Sequence, residues 1–368
     1  MGEKRVTTKK LKDIYSAETV GLIAAQVQEI VAKFDTELFQ KRVFAEGWEA
    51  LELKQRYQRL AQSVYDTLAL PYSQVVDILV QFGERYEGFK YLFFPEIVSM
   101  YGLDSFEDSM RALESLTCSS SAEFAIRPFL QKDFERTFMY MKKWAISTNE
   151  HHRRLASEGL RPLLPWGMRV PVVHDHVAEI LQLLTSLNED NSLYVRKSVA
   201  NHLNDWSKIQ PDLILETLKT WDHTNEHTAW IMKKGLRTLL KEGNEQALAL
   251  LHYQEVEYSV LRFEVNPTVV HLGESSSIVY DLTLQTANST VTRLSYAIDF
   301  VKANGTTSRK IFFLKEVSVT NNQVVRGEKH YRWQDYTTRT HYAGEHRIAL
   351  LINGKEVAST VVVLEKQV

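Results

Sequence analysis

The chain has 368 residues, 44% of them hydrophobic and 24% charged, which is ample for folded cores and excludes a disordered or low-complexity protein. Its net charge of −2 gives no direct support for nucleic-acid binding, and its single cysteine, Cys118, excludes an internal disulfide. The charged opening MGEKRVTTKKLKDIYS has no apolar run behind it to make a signal peptide, and no stretch approaches a bilayer span, so a soluble, cytoplasmic protein is expected.

From about residue 17 to 252 the apolar spacing is helical. Ser16 is placed to cap a helix whose stripe is Val20, Ile23, Ala24, Val27, Ile30 and Val31. LELKQRYQRLAQSVYDTL follows with the same three-and-four spacing, and Pro71 and Pro95 open the next two segments. GFKYLFFPEIV is expected to bury its rings. Asp104 begins a helix through Leu116 with an acidic first turn.

An internal repeat then appears. TNEHHRRLASEGLRPLL (148–164) aligns without gaps to TNEHTAWIMKKGLRTLL (224–240), and SLYVRKSVANHL (192–203) supplies a shorter copy between them. Such repeats cannot bury their apolar faces singly and must stack, which predicts an all-α HEAT-like-repeat solenoid over residues 1–255. After about residue 256 the period changes to alternation. SVLRFEV, SSIVYDLTL, RLSYAIDFV, KIFFLKEV, HRIALLI and EVASTVVVLE read as strands, with hairpin signals at Asn304-Gly305 and Asn353-Gly354. About seven short strands predict an immunoglobulin-like β-sandwich over 256–368, without the Cys…Trp…Cys landmark of antibody domains.

Charge concentrates in Thr148–Trp166. Arg153, Arg154, Glu158 and Arg161 fall on neighbouring turns, and Glu158 lies four residues after Arg154 and three before Arg161. Two solvated salt bridges on a lone helix would look the same. The repeat, however, sets Arg196 and Lys197 at the positions of Arg153 and Arg154, which predicts a ladder of cations suited to DNA phosphates. Regional charge is compatible with this: residues 1–120 carry 14 basic against 18 acidic side chains, residues 127–245 carry 17 against 15. A carboxylate inside such a ladder costs affinity. Glu158, and Asp205 late in the second copy, could stabilise a cationic transition state or hold water, or could merely order arginines and cap helices. Trp166, constrained by Pro165, could plug a gap between helices or form an aromatic wall. His174/His176 and His223/His227 lack a third ligand at diagnostic spacing, Cys118 has no paired-histidine signature, and there is no phosphate-binding loop or dinucleotide fingerprint. Neither a metal nor a cofactor is expected.

SSAEFAIRPFL, TNEHHRRLASEGLRPLLPW and SLYVRKSVANHLNDWSK, with LELKQRYQRLAQ and YGLDSFEDSMRALESLT, resemble the AlkC branch of the HEAT-like-repeat DNA alkylation repair glycosylases. The C-terminal sandwich, 256–368, is similar to the immunoglobulin-like domain attached to some of them. The resemblance implies a monomeric, cofactor-independent base excision repair enzyme that acts on alkylated double-stranded DNA, nucleoid-associated through its substrate. It would release cationic bases such as 3-methyladenine and 3-methylcytosine without flipping them out. By the same resemblance Glu158, Asp205 and Glu123 match active-site carboxylates and Trp166 an aromatic that contacts the damaged nucleotide. Arg153, Arg154, Arg161, Arg196 and Lys197 would follow the phosphates. The lead-in Leu116–Ser121, LTCSSS, departs from the family pattern in being more polar and less basic. The rival readings are a non-catalytic protein that binds distorted or branched DNA through the same cations, and a protein-binding scaffold.

Overall fold

Caps and apolar stripes place the helices where the periodicity puts them. The computed structural model describes residues 10–336 and 339–365; most of the charged opening stretch, residues 1–9, lies outside them. Among the described residues the helices are α1 (Ala17–Ile30), α2 (Thr36–Val43), α3 (Leu53–Leu68), α4 (Tyr72–Arg85), α5 (Phe93–Tyr101), α6 (Phe106–Ser119), α7 (Arg127–Lys132) and α8 (Phe134–Ala145). They continue with α9 (Glu150–Glu158), α10 (Val177–Thr185), α11 (Leu193–Ser207), α12 (Pro211–Lys219), α13 (Glu226–Gly235), α14 (Arg237–Glu242) and α15 (Glu245–Leu250). Ser16 caps α1 by accepting from the Thr19 amide at 3.2 Å, and Val20, Ile23, Ala24 and Val27 are buried. The α6 helix starts later than expected, after Ser105, and runs to Ser119, because Leu116 and Thr117 still face the core.

The repeated TNEH acts as a helix start in both long copies. Asn149 Oδ1 accepts from the His151 amide at 2.9 Å at the head of α9, and Asn225 Oδ1 accepts from the His227 amide at 2.9 Å at the head of α13. In the shorter copy Ser192 does the corresponding work, its hydroxyl accepting from the Tyr194 amide at 3.2 Å at the head of α11.

Two compact units account for the chain: residues 1–205 with 221–231, and residues 206–220 with 232–368. Within the second, eight strands form a two-sheet sandwich: β1 (Glu257–Asn266), β2 (Val269–His271), β3 (Ser275–Gln285), β4 (Thr290–Val301), β5 (Thr307–Val319), β6 (Asn322–Arg332), β7 (Gly344–Ile352) and β8 (Lys355–Glu365). One sheet has the order β1-β3-β6, the other β2-β8-β7-β4-β5. Both expected hairpins form: Val301 pairs with Thr307 across Asn304-Gly305, and Ile352 pairs with Lys355 across Asn353 (φ 46) and Gly354 (φ 81). Two strands escape the alternation pattern. β2 is three residues long, and β6 is an edge strand that buries only Val325 and Tyr331, so its sequence is mostly polar. In place of a disulfide, the fully buried Trp333 fills the space between the sheets and donates to Ser276 Oγ at 3.0 Å.

The helical unit also encloses a titratable side chain. His202 of α11 is completely buried, and burial together with the Arg161 charge lowers its pKa to about 3. The folded protein therefore holds the neutral ring, whereas the unfolded chain takes up a proton near pH 6.5. The stability present above about pH 6.5 is lost as pH falls toward 3. Melting temperature measured across this range should fall with acidification. His202→Leu should reduce the slope by as much as one proton, or about 1.4 kcal/mol per pH unit. An unchanged slope would contradict the burial of a neutral imidazole.

Candidate active site

The charged segment does not lie open to solvent; it folds into a line of alternating charges beneath a cleft. Glu158 ends α9, only 5% exposed, with Oε1 accepting from Arg161 Nη1 at 2.6 Å and lying 3.6 Å from Arg154 Nη2. Arg161 turns its Nε to Asp205 Oδ2 at 2.9 Å. Arg154 reaches the other way, to Glu123 and to the Ser121 hydroxyl. Ser121 Oγ in turn donates to Glu123 Oε2 at 2.7 Å. The order across the site is thus Glu123, Arg154, Glu158, Arg161, Asp205, three carboxylates against two guanidiniums. Burial opposes the charge on each arginine. The adjacent carboxylates outweigh it, Glu158 and Glu123 for Arg154, Glu158 and Asp205 for Arg161, and hold both pKa values above the ordinary range.

The second oxygen of Glu158 is also held. The Ser198 hydroxyl of α11 lies 2.6 Å from Oε2, to which it donates, and 2.9 Å from Ser157 Oγ. Tyr194, from the same helix, places its ring 5.0 Å from the Arg154 guanidinium carbon. Neither Ser198 nor Tyr194 could be picked out from spacing, although both lie in the repeat copy SLYVRKSVANHL.

Above this line is a cleft of about 520 Å3, lined by Glu123, Glu158, Arg154, Arg161, Trp166 and Tyr194 among others. The polar lead-in contributes Thr117–Ser121 to its wall, and Phe89, the one ring of GFKYLFF left largely exposed, lies at its edge. Asp205 is 3% exposed and meets the cleft through Arg161. Cys118 lines the cleft with His152 Nε2 at 3.5 Å, a pairing invisible in sequence. That nitrogen is also 2.9 Å from the Glu114 carbonyl, which can only accept, so it carries a proton and cannot take one from sulfur. Burial pushes the thiol pKa up, so Cys118 is no activated nucleophile.

Trp166 sits on an unusual turn. The Gly167 amide donates to Leu164 O at 3.2 Å, which makes Pro165 and Trp166 the central residues of a β-turn. Pro165 suits its position, but Trp166 has φ 64, where a turn ordinarily takes glycine. Its ring is 68% exposed at the cleft. The backbone conformation is strained, and little of the side chain is buried to offset it.

The expected ladder of free cations takes a different form. Arg153 is bound to Asp190 through Nε (2.6 Å) and Nη2 (3.0 Å), and its Nη1 donates to the Ser147 and Thr148 carbonyls. Arg196 donates to the Asp190 carbonyl at 2.7 Å. Arg154 and Arg161 are committed to the carboxylates described above. Of the five, Lys197 alone is an exposed cation with no ion pair among the described residues. Lys54 of α3, not anticipated, reaches the Trp166 carbonyl at 3.5 Å.

A family model described as DNA alkylation repair enzyme matches residues 84–239, and one for the C-terminal Ig-like domain of YhaZ matches residues 259–366. The uncharacterized protein YhaZ of Bacillus subtilis (strain 168) is 39% identical over 346 residues, 94% of this chain and 96% of that protein. The structure of Pseudomonas fluorescens alkylpurine DNA glycosylase AlkC, bound to DNA containing an abasic site analog, is likewise 39% identical. It covers 97% of this chain and 100% of its own, with a TM-score of 0.91. With that identity over nearly the whole of both chains, the chain belongs to the AlkC-type branch of the DNA alkylation repair enzymes and itself carries a C-terminal immunoglobulin-like domain.

Proposed function

We propose that this protein is a DNA glycosylase that hydrolyses the N-glycosidic bond of cationic N-alkylated bases, 3-methyladenine and 3-methylcytosine among them, in duplex DNA. The observation that carries the reading is the excess of carboxylate over guanidinium at the floor of a cleft rimmed by an exposed tryptophan. Chemistry accounts for the choice of substrate. A base alkylated on a ring nitrogen is already positive, so breaking its bond to C1′ returns the bonding electrons to the ring and releases it neutral. The charge passes to the sugar, whose oxocarbenium character is what the protein must stabilise. Glu158 and Glu123 face that sugar, Asp205 fixes Arg161 behind them, and water adds at C1′ with its proton leaving to a carboxylate. Trp166 offers the negative face of its ring to the cationic base. Because selectivity comes from charge, no deep base pocket is required, and the base stays in the helix. The residues fall into two domains, a helical glycosylase domain over 1–255 and the sandwich over 256–368, and Lys197 with Lys54 meets phosphates.

Purified protein without added cofactor should release 3-methyladenine and 3-methylcytosine from alkylated duplex DNA and leave neutral hypoxanthine in place. Binding without any release would favour the non-catalytic reading. 2-Aminopurine beside the lesion should keep its stacked, quenched emission; a rise on binding would show flipping. Glu158→Gln and Asp205→Asn keep the hydrogen-bonding shape while removing charge, and each should lower single-turnover release by roughly a hundred-fold with little change in DNA affinity. Alanine at either position would confound the result. It would leave Arg161 buried and half paired, at a cost of about 3–5 kcal/mol in stability. Trp166→Gly should leave melting temperature nearly unchanged, since relief of the left-handed backbone offsets the added chain entropy, yet it should depress release strongly. A large drop in melting temperature would mean that Trp166 is a packing residue.

A further inference from the structure

The loop that carries Arg161 and Trp166 is built on a side chain that does not line the cleft. Arg127 opens α7 and is fully buried, with 0% of its surface exposed. Its hydrogen bonds all go to backbone carbonyls. Nη1 donates to Gly159 O at 2.7 Å and to Arg161 O at 3.0 Å, and Nε donates to Met168 O at 2.7 Å. Nη2 is buried without a partner. A guanidinium taken out of water and bound to no carboxylate is a costly way to fill space. Burial, with the Arg169 and Arg161 charges, lowers its pKa to about 10, which still leaves it charged at neutral pH.

The three carbonyls explain the expense. Gly159 follows Glu158 directly, Arg161 holds Glu158 and Asp205, and Met168 lies two residues past Trp166. Arg127 therefore ties together both ends of the segment 159–168. The loop is fitted to it closely as well. A Cβ on Gly167 would come within 2.9 Å of Leu164 Cδ2 and 3.3 Å of Arg127 Cδ, and one on Gly159 within 2.8 Å of Ile126 Cγ2. A strained turn at Trp166 persists only if its surroundings hold it, and Arg127 is the polar group underneath.

We propose that Arg127 is a positioning residue for the reaction: it clamps the 159–168 loop at both ends, so that Arg161 stays between its carboxylates and Trp166 stays on its left-handed turn at the cleft. This rests on the glycosylase reading above.

Arg127→Lys keeps the charge but cannot span three carbonyls. Single-turnover release of 3-methyladenine should fall by roughly a hundred-fold, while affinity for duplex DNA containing an abasic-site analogue is retained. In a Trp166→Phe background the same substitution should cost far less, because the two residues act through one loop. Acrylamide quenching of the emission component that Trp166→Phe removes gives a readout independent of activity, and Arg127→Lys should alter it. Gly167→Ala attacks the same contact from the loop side and should reproduce both effects if the arginine variant folds poorly. If the wild type releases no base, the glycosylase reading fails, and the quenching result alone decides whether Arg127 holds the turn. Wild-type quenching in both variants would overturn the proposal. So would a loss of rate that adds in full to that of Trp166→Phe.

Discussion

The helical unit depends on a buried line of charge that alternates from Glu123 to Asp205. It joins the segment before α7, helix α9 and helix α11, elements brought together from 82 residues of sequence, through two arginines. Lines of this kind do not arise for stability alone, since the cost of desolvating five ions is recovered only with good geometry and often not in full. Here the geometry is good. Glu158 accepts from Arg161 and from Ser198, and each arginine meets two carboxylates. The same arrangement keeps the carboxylates fixed beside the cleft. They can then respond to a developing cation without reorganising, which is the condition under which electrostatic stabilisation is largest.

Backbone strain and charge are combined in one short loop. Trp166 occupies a position that suits glycine and leaves its ring in solvent, while two residues earlier Leu164 is buried. The loop is anchored by Arg127 from below and by the Arg169 side chain, which donates to Pro162 O at 2.9 Å. Turn type and exposure together leave the indole in solvent at the cleft, on a backbone conformation that ordinarily belongs to glycine.

Much of this was legible in the sequence, and the parts that were not have a common cause. The order of helices then strands followed from the change of apolar period, and the TNEH repeats marked real helix starts, because caps and periodicity are local. Edge strand β6 was missed since an edge with one covered face has few apolar residues to display. The clustering of Glu158 with Arg154 and Arg161 was visible because it is local to α9 and the turn after it. What those arginines do was not. Asp190 lies 37 residues from Arg153 and Glu123 lies 31 from Arg154, so charges that looked available for phosphate are already paired. Ser198, Tyr194, Lys54 and Arg127 reach the site by tertiary packing, for which no spacing rule gives a signal.

The central claim is that these fixed carboxylates stabilise a sugar cation and that the base, already positive in the substrate, departs neutral without being protonated. A secondary isotope effect at the 1′ position of a 3-methyladenine nucleotide, measured under single-turnover conditions, tests it most directly. The account predicts a large normal effect, as C1′ flattens toward an oxocarbenium ion before water adds. A value indistinguishable from unity would contradict it.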